Sequence, residues 1–280
     1  MEKAIKRYFP IFVLPTMIAF TLGFIIPFAE GVYLSFCKFT TVNDAKFIGL
    51  SNYGKVFKDS TFVHAFWYTA AFTVVSVILI NVLAFAVALL LTKGIKGTNV
   101  FRTVFFMPNL IGGIVLGYIW QLLLNGILMK FSRTLTYSST FGFWGLVILM
   151  CWQQIGYMMI IYIAGIQNIP GELIEAAEID GATKRQVLKS VTIPMVMPSI
   201  TVCTFLTLTK SFKLFDQNLA LTNGEPSKMS EMVALNIFNT FYGRAGYEGV
   251  GQAKAVIFFI LVAAIALTQN YLTRRKEVQQ

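Results

Sequence analysis

Six stretches of this chain are long and apolar enough to cross a bilayer, which leaves it few ways to fold. A span needs about 20 mostly apolar residues, and in lipid every backbone N–H and C=O must be paired within the protein, so only helices or closed barrels cross. Runs near residues 11–33, 67–92, 103–126, 143–167, 195–215 and 253–273 have the length for helices. With 56% hydrophobic and only 13% charged residues over 280 positions, the chain lacks the charged surface of a water-soluble globule. An all-α polytopic membrane protein with six transmembrane helices is therefore predicted.

The first segment starts on Lys3, Lys6 and Arg7, as a signal peptide would. Its apolar run from Tyr8 to Ala29 is too long for one, and no small-x-small cleavage site follows, so it reads as a retained span. Orientation follows from Lys and Arg in the short loops. Lys3, Lys6 and Arg7, then Lys93, Lys96 and Arg102, then Arg274, Arg275 and Lys276 all fall on one face when six spans are counted. That face is expected to be cytoplasmic, with both termini on it. Lys38, Lys46, Lys55 and Lys58 lie in a long outer loop, where the rule has little force. The net charge of +10 is thus topological and does not indicate nucleic-acid binding.

Cys37, Cys151 and Cys203 are odd in number, two of them within spans, and imply neither a disulfide framework nor a metal site. His64, the single histidine, precedes the second span beside Trp67 and Tyr68 and has no partner at metal-ligand spacing. No nucleophile–base pair is evident, so the chain is not expected to be an enzyme. Three parts are anticipated: residues 1–66, an N-terminal span with its outer loop; 67–273, a five-span core; and 274–280, a tail. In the first loop Phe57, Phe62, Phe66 and Trp67 suggest a short amphipathic helix on the outer interface. Gly113 and Gly117 form a small-x-x-x-small pair that allows close helix approach, and Pro108 suggests a bend before them.

The segment between the fourth and fifth spans is the polar exception: IPGELIEAAEIDGATKRQVLKSVTIP, residues 169–194. Pro170 suits a first helical turn, Glu172 and Glu175 favour the positive end of the helix dipole, and Gly181 is a stop. Thr183 with Gln186 makes a capping box for a second helix, which runs to a break at Ile193–Pro194. The physical reading is a helical hairpin on the cytoplasmic face, with small alanines that let another protein approach.

EAAEIDGATKRQVLKSVTIPMVMPSI resembles the cytoplasmic loop of bacterial ABC-importer permeases. RTVFFMPNLIGGIVLGYIW, YMMIIYIAGIQNIPGELIEAA and FDQNLALTNGEP are similar to the carbohydrate branch, of maltose and glycerol-phosphate type, and the likeness covers roughly 68 to 273. It implies a type I ABC importer permease fold, in a multi-pass protein of the bacterial inner membrane. It also implies a heterodimer with a second permease subunit, two ATPase subunits and an extracytoplasmic sugar-binding protein, embedded in membrane lipid. The chain has no GxxxxGK[ST] loop and is expected to hold no cofactor, ATP and Mg being bound by the partner ATPases. By the same resemblance Glu175, Ala176, Ala177, Asp180 and Gly181 would be the ATPase-coupling contact. Glu225 departs from the glycine commoner in the turn motif, and a turn is still expected there.

Polar residues inside spans are costly and mark pathways. Span 4 carries Gln153, Gln154 and Tyr157, and span 5 carries Thr201, Thr204, Thr207 and Ser211, flanked by Lys210 and Leu214. Amides, hydroxyls and the rings of Tyr157 or Trp152 suit a sugar, although threonines in spans also bond their own backbone. In maltose-type permeases, substrate-contacting positions precede the two motifs. Counting back, that resemblance assigns Met150, Gln153, Gln154 and Tyr157, then Thr207, Lys210, Ser211 and Leu214. Most residue types differ from the maltose pattern, which suggests another oligosaccharide. Lys213 and Asp216 are expected to pair near the outer interface, with Lys210 snorkelling or meeting sugar hydroxyls. The alternatives are a permease for another polar solute, such as a glycerol-phosphate compound, or a stand-alone secondary carrier. A carrier would need an inverted repeat with broken spans or buried ion-coupling charges, and neither is evident in the sequence.

Overall fold

The computed structural model describes residues 2–274; Arg275, Lys276 and the rest of the expected tail lie outside the described residues. Helices dominate, as the scarcity of backbone partners in lipid demands. The first rod is α1 (Glu2–Phe20), a π-helical turn (Thr21–Ile25) and α2 (Ile26–Leu34). Pro27 is at the start of α2, and its missing N–H and ring crowding account for the loosened turn just before it. Strands β1 (Cys37–Lys38) and β2 (Lys46–Phe47) pair antiparallel, Cys37 opposite Phe47. Then come α3 (Ser51–Lys58), α4 (Ser60–Leu91), α5 (Thr98–Phe106), α6 (Gly113–Leu128) and α7 (Ser139–Gln167). The hairpin is α8 (Gly171–Ile179) and α9 (Lys184–Val187), continued by a π-helical turn into α10 (Ile193–Met195). The chain ends with α11 (Met197–Phe212), α12 (Asp216–Leu221), α13 (Val233–Gly243) and α14 (Glu248–Arg274).

Among the described residues five helices are long and apolar enough to cross a membrane: Ile11–Leu34, Ser60–Leu91, Gly113–Phe131, Ser139–Gln167 and Glu248–Arg274. A sixth span is made by Lys184–Met195 and Met197–Phe212 together, bent by 68°. All six expected spans are thus present, with three corrections. The second begins at Ser60, so Phe62, Phe66 and Trp67 belong to α4 while Phe57 belongs to α3; the single amphipathic helix expected here is divided at Asp59. At 32 residues α4 is about 48 Å long and overshoots a hydrocarbon layer of about 30 Å, which carries its aromatic end into the interface. The third span starts at Gly113, because Pro108 and the extended Ile111 separate α5 from α6. The fifth breaks at Val196, beyond the expected Ile193–Pro194, where Pro198 cannot donate to the carbonyl four residues back.

The chain divides into two compact units. One comprises residues 1–60 with 237–260, a segment that the sequence-based division left in the core. Here the Asn52 side-chain amide donates to the carbonyls of Ser35 (2.9 Å) and Cys37 (2.8 Å), which pins the short β pairing to α3. Lys254, 1% exposed, donates to Asp59 Oδ2 at 2.7 Å and to Thr240 Oγ1 at 2.7 Å. None of the most apolar window of Ile11–Leu34 is buried within the chain.

The other unit comprises residues 61–236 and 261–280. Its centre is α7, whose most apolar window is 67% buried, far more than that of the four other unbroken spans. Leu146, Leu149, Met150, Met158 and Met159 of α7 form its core with Phe72 and Ile80 of α4 and Cys203 of α11. Gly156 lets the end of α5 press onto α7: a methyl there would overlap the Phe105 carbonyl. His64 Nε2 lies 3.0 Å from the Met229 carbonyl, with the ring near Tyr68, and no metal-ligand cluster occurs among the described residues.

Breaking a buried ion pair by removing one partner costs about 3–5 kcal/mol, whereas replacing both by apolar residues is near neutral. Asp59→Asn is therefore expected to lower the melting temperature of the detergent-solubilised protein by roughly 6–12 °C. The double variant Asp59→Leu/Lys254→Met is expected to recover most of that loss in the same thermal-shift measurement.

Candidate functional site

Lys210 occupies the last turn of α11, Gln153 and Gln154 the middle of α7, and Gln217 the first turn of α12. These elements meet because α6 and α12 pack with almost no side-chain layer between them. A Cβ on Gly113 would lie 2.7 Å from that of Asp216, and one on Gly117 would lie 2.6 Å from that of Ala220. The small-x-x-x-small pair is therefore the seat of α12, and α12 in turn carries Gln217 to α7. Gln217 Nε2 donates to Gln153 Oε1 at 2.9 Å, and Gln153 Nε2 donates to the Ile111 carbonyl at 3.3 Å, in the break that Pro108 opens.

A cavity of ≈340 Å³ lies against this junction. Five of the residues assigned to substrate by resemblance, Met150, Gln153, Gln154, Lys210 and Leu214, line it together, and so do Asn109, Lys213 and Gln217, which that assignment did not include. Lys210 Nζ donates to Gln154 Oε1 at 2.8 Å and lies 4.9 Å from the centre of the Tyr157 ring, a cation–π contact. Tyr157 thus supports the lysine from beneath the wall. Two N–H groups of Lys210 and the amide nitrogen of Gln154 make no other hydrogen bond among the described residues, so they can serve a hydroxyl-bearing ligand. Lys213 and Asp216 both line the cavity but form no ion pair with each other, contrary to expectation.

Thr207 and Ser211 are placed differently. Both are fully buried and neither lines the cavity. Thr207 Oγ1 donates to its own helix at Cys203 and accepts from Asn81 Nδ2 at 3.3 Å, while Asn81 Oδ1 accepts from Tyr162 OH at 2.7 Å. This node ties α4, α7 and α11 together. Thr201 likewise bonds back to Met197, whereas the buried Ser211 Oγ has no hydrogen-bond partner among the described residues.

The second candidate surface is the hairpin. Asp180 caps α8, and Gly181 has a φ of 80°. Gly181 N–H donates to the Glu178 carbonyl and Ala182 N–H to that of Ala177, both at 3.0 Å, which closes a Schellman turn. The Thr183–Gln186 capping box then starts α9, so little in the turn is free to move. Pro170 stands just before the first helical residue rather than within the first turn. Glu175, Ala176, Asp180 and Gly181 are exposed and Ala177 is half-buried. Ala177, Asp180 and Gly181 line a groove of ≈310 Å³. Ile179, which the sequence reading passed over, is 86% exposed beside them.

Residues 80–278 match the family described as binding-protein-dependent transport system inner membrane component. The chain is 43% identical to the "Probable starch degradation products transport system permease protein AmyD" of Thermoanaerobacterium thermosulfurigenes, over 96% of this chain and 94% of that one. It is 28% identical to the "Multiple sugar-binding transport system permease protein MsmF" of Streptococcus mutans, over 99% of each. Among solved structures it is similar to a chain of a bacterial ABC transporter involved in the import of the acidic polysaccharide alginate. That match has a TM-score of 0.82 at 21% identity, covers 98% of each chain, and bears on the fold.

Overpacking a tight helix contact costs about 1–3 kcal/mol. Gly117→Val is expected to push α12 off α6. In the Gln217→Cys variant, the cysteine should then react with a water-soluble maleimide several times faster than with Gly117 in place, while the protein still inserts in the membrane.

Proposed function

We propose, for a chain that belongs to the binding-protein-dependent transport system inner membrane components, that the cavity beside Lys210 is where sugar passes and that the hairpin is where a motor pulls. The protein is a transmembrane permease subunit of a carbohydrate ABC importer, a multi-pass inner-membrane component and not an enzyme. Its cargo, we infer, is an oligosaccharide, in keeping with the starch degradation products in the name of the 43% identical relative. Its partners would be a second, different permease subunit, two ATPase subunits that bind ATP and Mg, and an extracytoplasmic sugar-binding protein. Both termini and the hairpin would face the cytoplasm, where Lys93, Lys96 and Arg102 also fall.

The observation that carries this reading is the makeup of the cavity. Its amides are paired with one another and with a lysine, not with carboxylates. Such bonds resemble those a sugar hydroxyl makes, so exchange for ligand costs little net hydrogen bonding. Lys210 and Lys213 outnumber Asp216 on the lining and leave a place for a sugar carrying a negative charge, and this is the observation that favours the glycerol-phosphate alternative. In the mechanism we infer, closure of the ATPases draws the hairpins together. The stiff turn at Gly181 passes that motion along α9 and α10 to the bend at Val196, and α11 carries it to Lys210.

The decisive experiment is reconstitution with the permease partner, ATPases and binding protein in proteoliposomes. Malto-oligosaccharides are expected to raise ATP hydrolysis; stimulation by amino acids or ions alone would end the carbohydrate assignment. Glu175→Lys and Gly181→Val are each expected to leave the protein inserted and to cut sugar uptake at least tenfold. Lys210→Met is expected to reduce uptake about tenfold, the worth of one charge-assisted hydrogen bond, with basal ATP hydrolysis retained.

A further inference from the structure

Above the hairpin lies a second cavity, of ≈740 Å³, between the end of α4, the end of α7, α8 and α9. Its inner part is apolar, formed by Leu89, Ile166, Ile174 and Leu188 among others. Its rim is basic: Lys93 just past α4, and Lys184 and Arg185 at the start of α9. Glu178 is the one carboxylate on the wall, so the lining keeps an excess of positive charge. Among the described residues none of these four side chains forms an ion pair. Lysines that only ended a span would reach separately into water. Here three cations from two distant parts of the chain converge on one apolar hollow where two spans stop.

We propose that this cavity binds a membrane phospholipid with an anionic headgroup, its phosphate held by Lys93, Lys184 and Arg185 and an acyl chain laid along Leu89 and Ile174. The volume is within the range of sites that enclose a small amphiphile. Basic pockets between helices at the cytoplasmic surface attract anionic headgroups, at roughly fivefold in affinity per cation. The proposal rests on the orientation proposed above, which puts the hairpin in the anionic leaflet's field. Because Lys93 extends α4 while Lys184 and Arg185 begin α9, a bound lipid would bridge the bundle to the moving hairpin. The hairpin's stroke would then depend on the headgroup beneath it.

The test uses the assembled complex in nanodiscs made from equal parts phosphatidylglycerol and phosphatidylcholine, with retained lipid read by native mass spectrometry after transfer to detergent. The wild-type complex is expected to retain phosphatidylglycerol at least tenfold over phosphatidylcholine. Each of Lys93→Gln, Lys184→Gln and Arg185→Gln should lower retention about fivefold. Leu89→Trp, which fills the hollow from α4 without touching the hairpin, should lower it with the charges intact. Equal retention of the two lipids, or a triple glutamine variant that retains phosphatidylglycerol like the wild type, would overturn the proposal. Displacement of the lipid by inorganic phosphate, with Leu89→Trp without effect, would make it a free-anion site and also overturn it. Loss of the ATPase subunits from the triple variant with lipid retention unchanged would assign the cations to the motor instead. Failure of the importer reading would show separately, as absent sugar-stimulated ATP hydrolysis with lipid selectivity intact.

Discussion

Lipid offers no hydrogen bonds, and the placement of polar side chains on the spans of this permease follows from that deficit. Asn81 on α4 accepts from Tyr162 on α7 and donates to Thr207 on α11, so three helices share one polar node. One helical turn and more along, Gln154 accepts from Lys210 and Gln153 from Gln217. In the first set Tyr162 and Thr207 are buried and Asn81 is half-buried, whereas the second opens on a cavity. The difference lies in neighbours. Asn81 can satisfy both its amide atoms inside the bundle, whereas Lys210 brings three donors to a place that supplies one acceptor and one ring.

Span number and type were legible from apolar length alone, since lipid enforces that signal over every other. Span ends were harder. Phe62 and Phe66 pointed to a separate interfacial helix because Thr61 and His64 interrupt the apolar run, yet a helix already paired in its middle continues cheaply outward. In the fifth span the break was expected at Ile193–Pro194, and the fold bends at Val196, midway to Pro198; local chemistry does not say which proline a bundle will accommodate.

The candidate site was legible in proportion to how far each side chain's direction follows from helix phase. Gln153, Gln154 and Lys210 are among the positions that the family resemblance assigns, and all three reach the cavity. Thr207 is three residues from Lys210, close to its helix face, but a threonine is short and binds its own backbone, so it remains in the core. Gln217 and Asn109 escaped notice because they come from a short helix and a 3₁₀ turn, where no long periodicity orients the reader. Their signal was indirect, in the glycines at 113 and 117 that draw α12 inward.

The hairpin unites two demands that seldom coincide. Its turn is stiff, held by paired carbonyls on one side of Gly181 and a capping box on the other. Its tip carries Ile179 almost wholly in water. A copy of this chain that has inserted but found no companion therefore displays a greasy residue on a rigid spike. Chaperones and membrane proteases seek such residues. Were the proposed ATPase contact to cover Ile179, the side chain that marks an orphaned subunit for removal would be hidden in the finished machine.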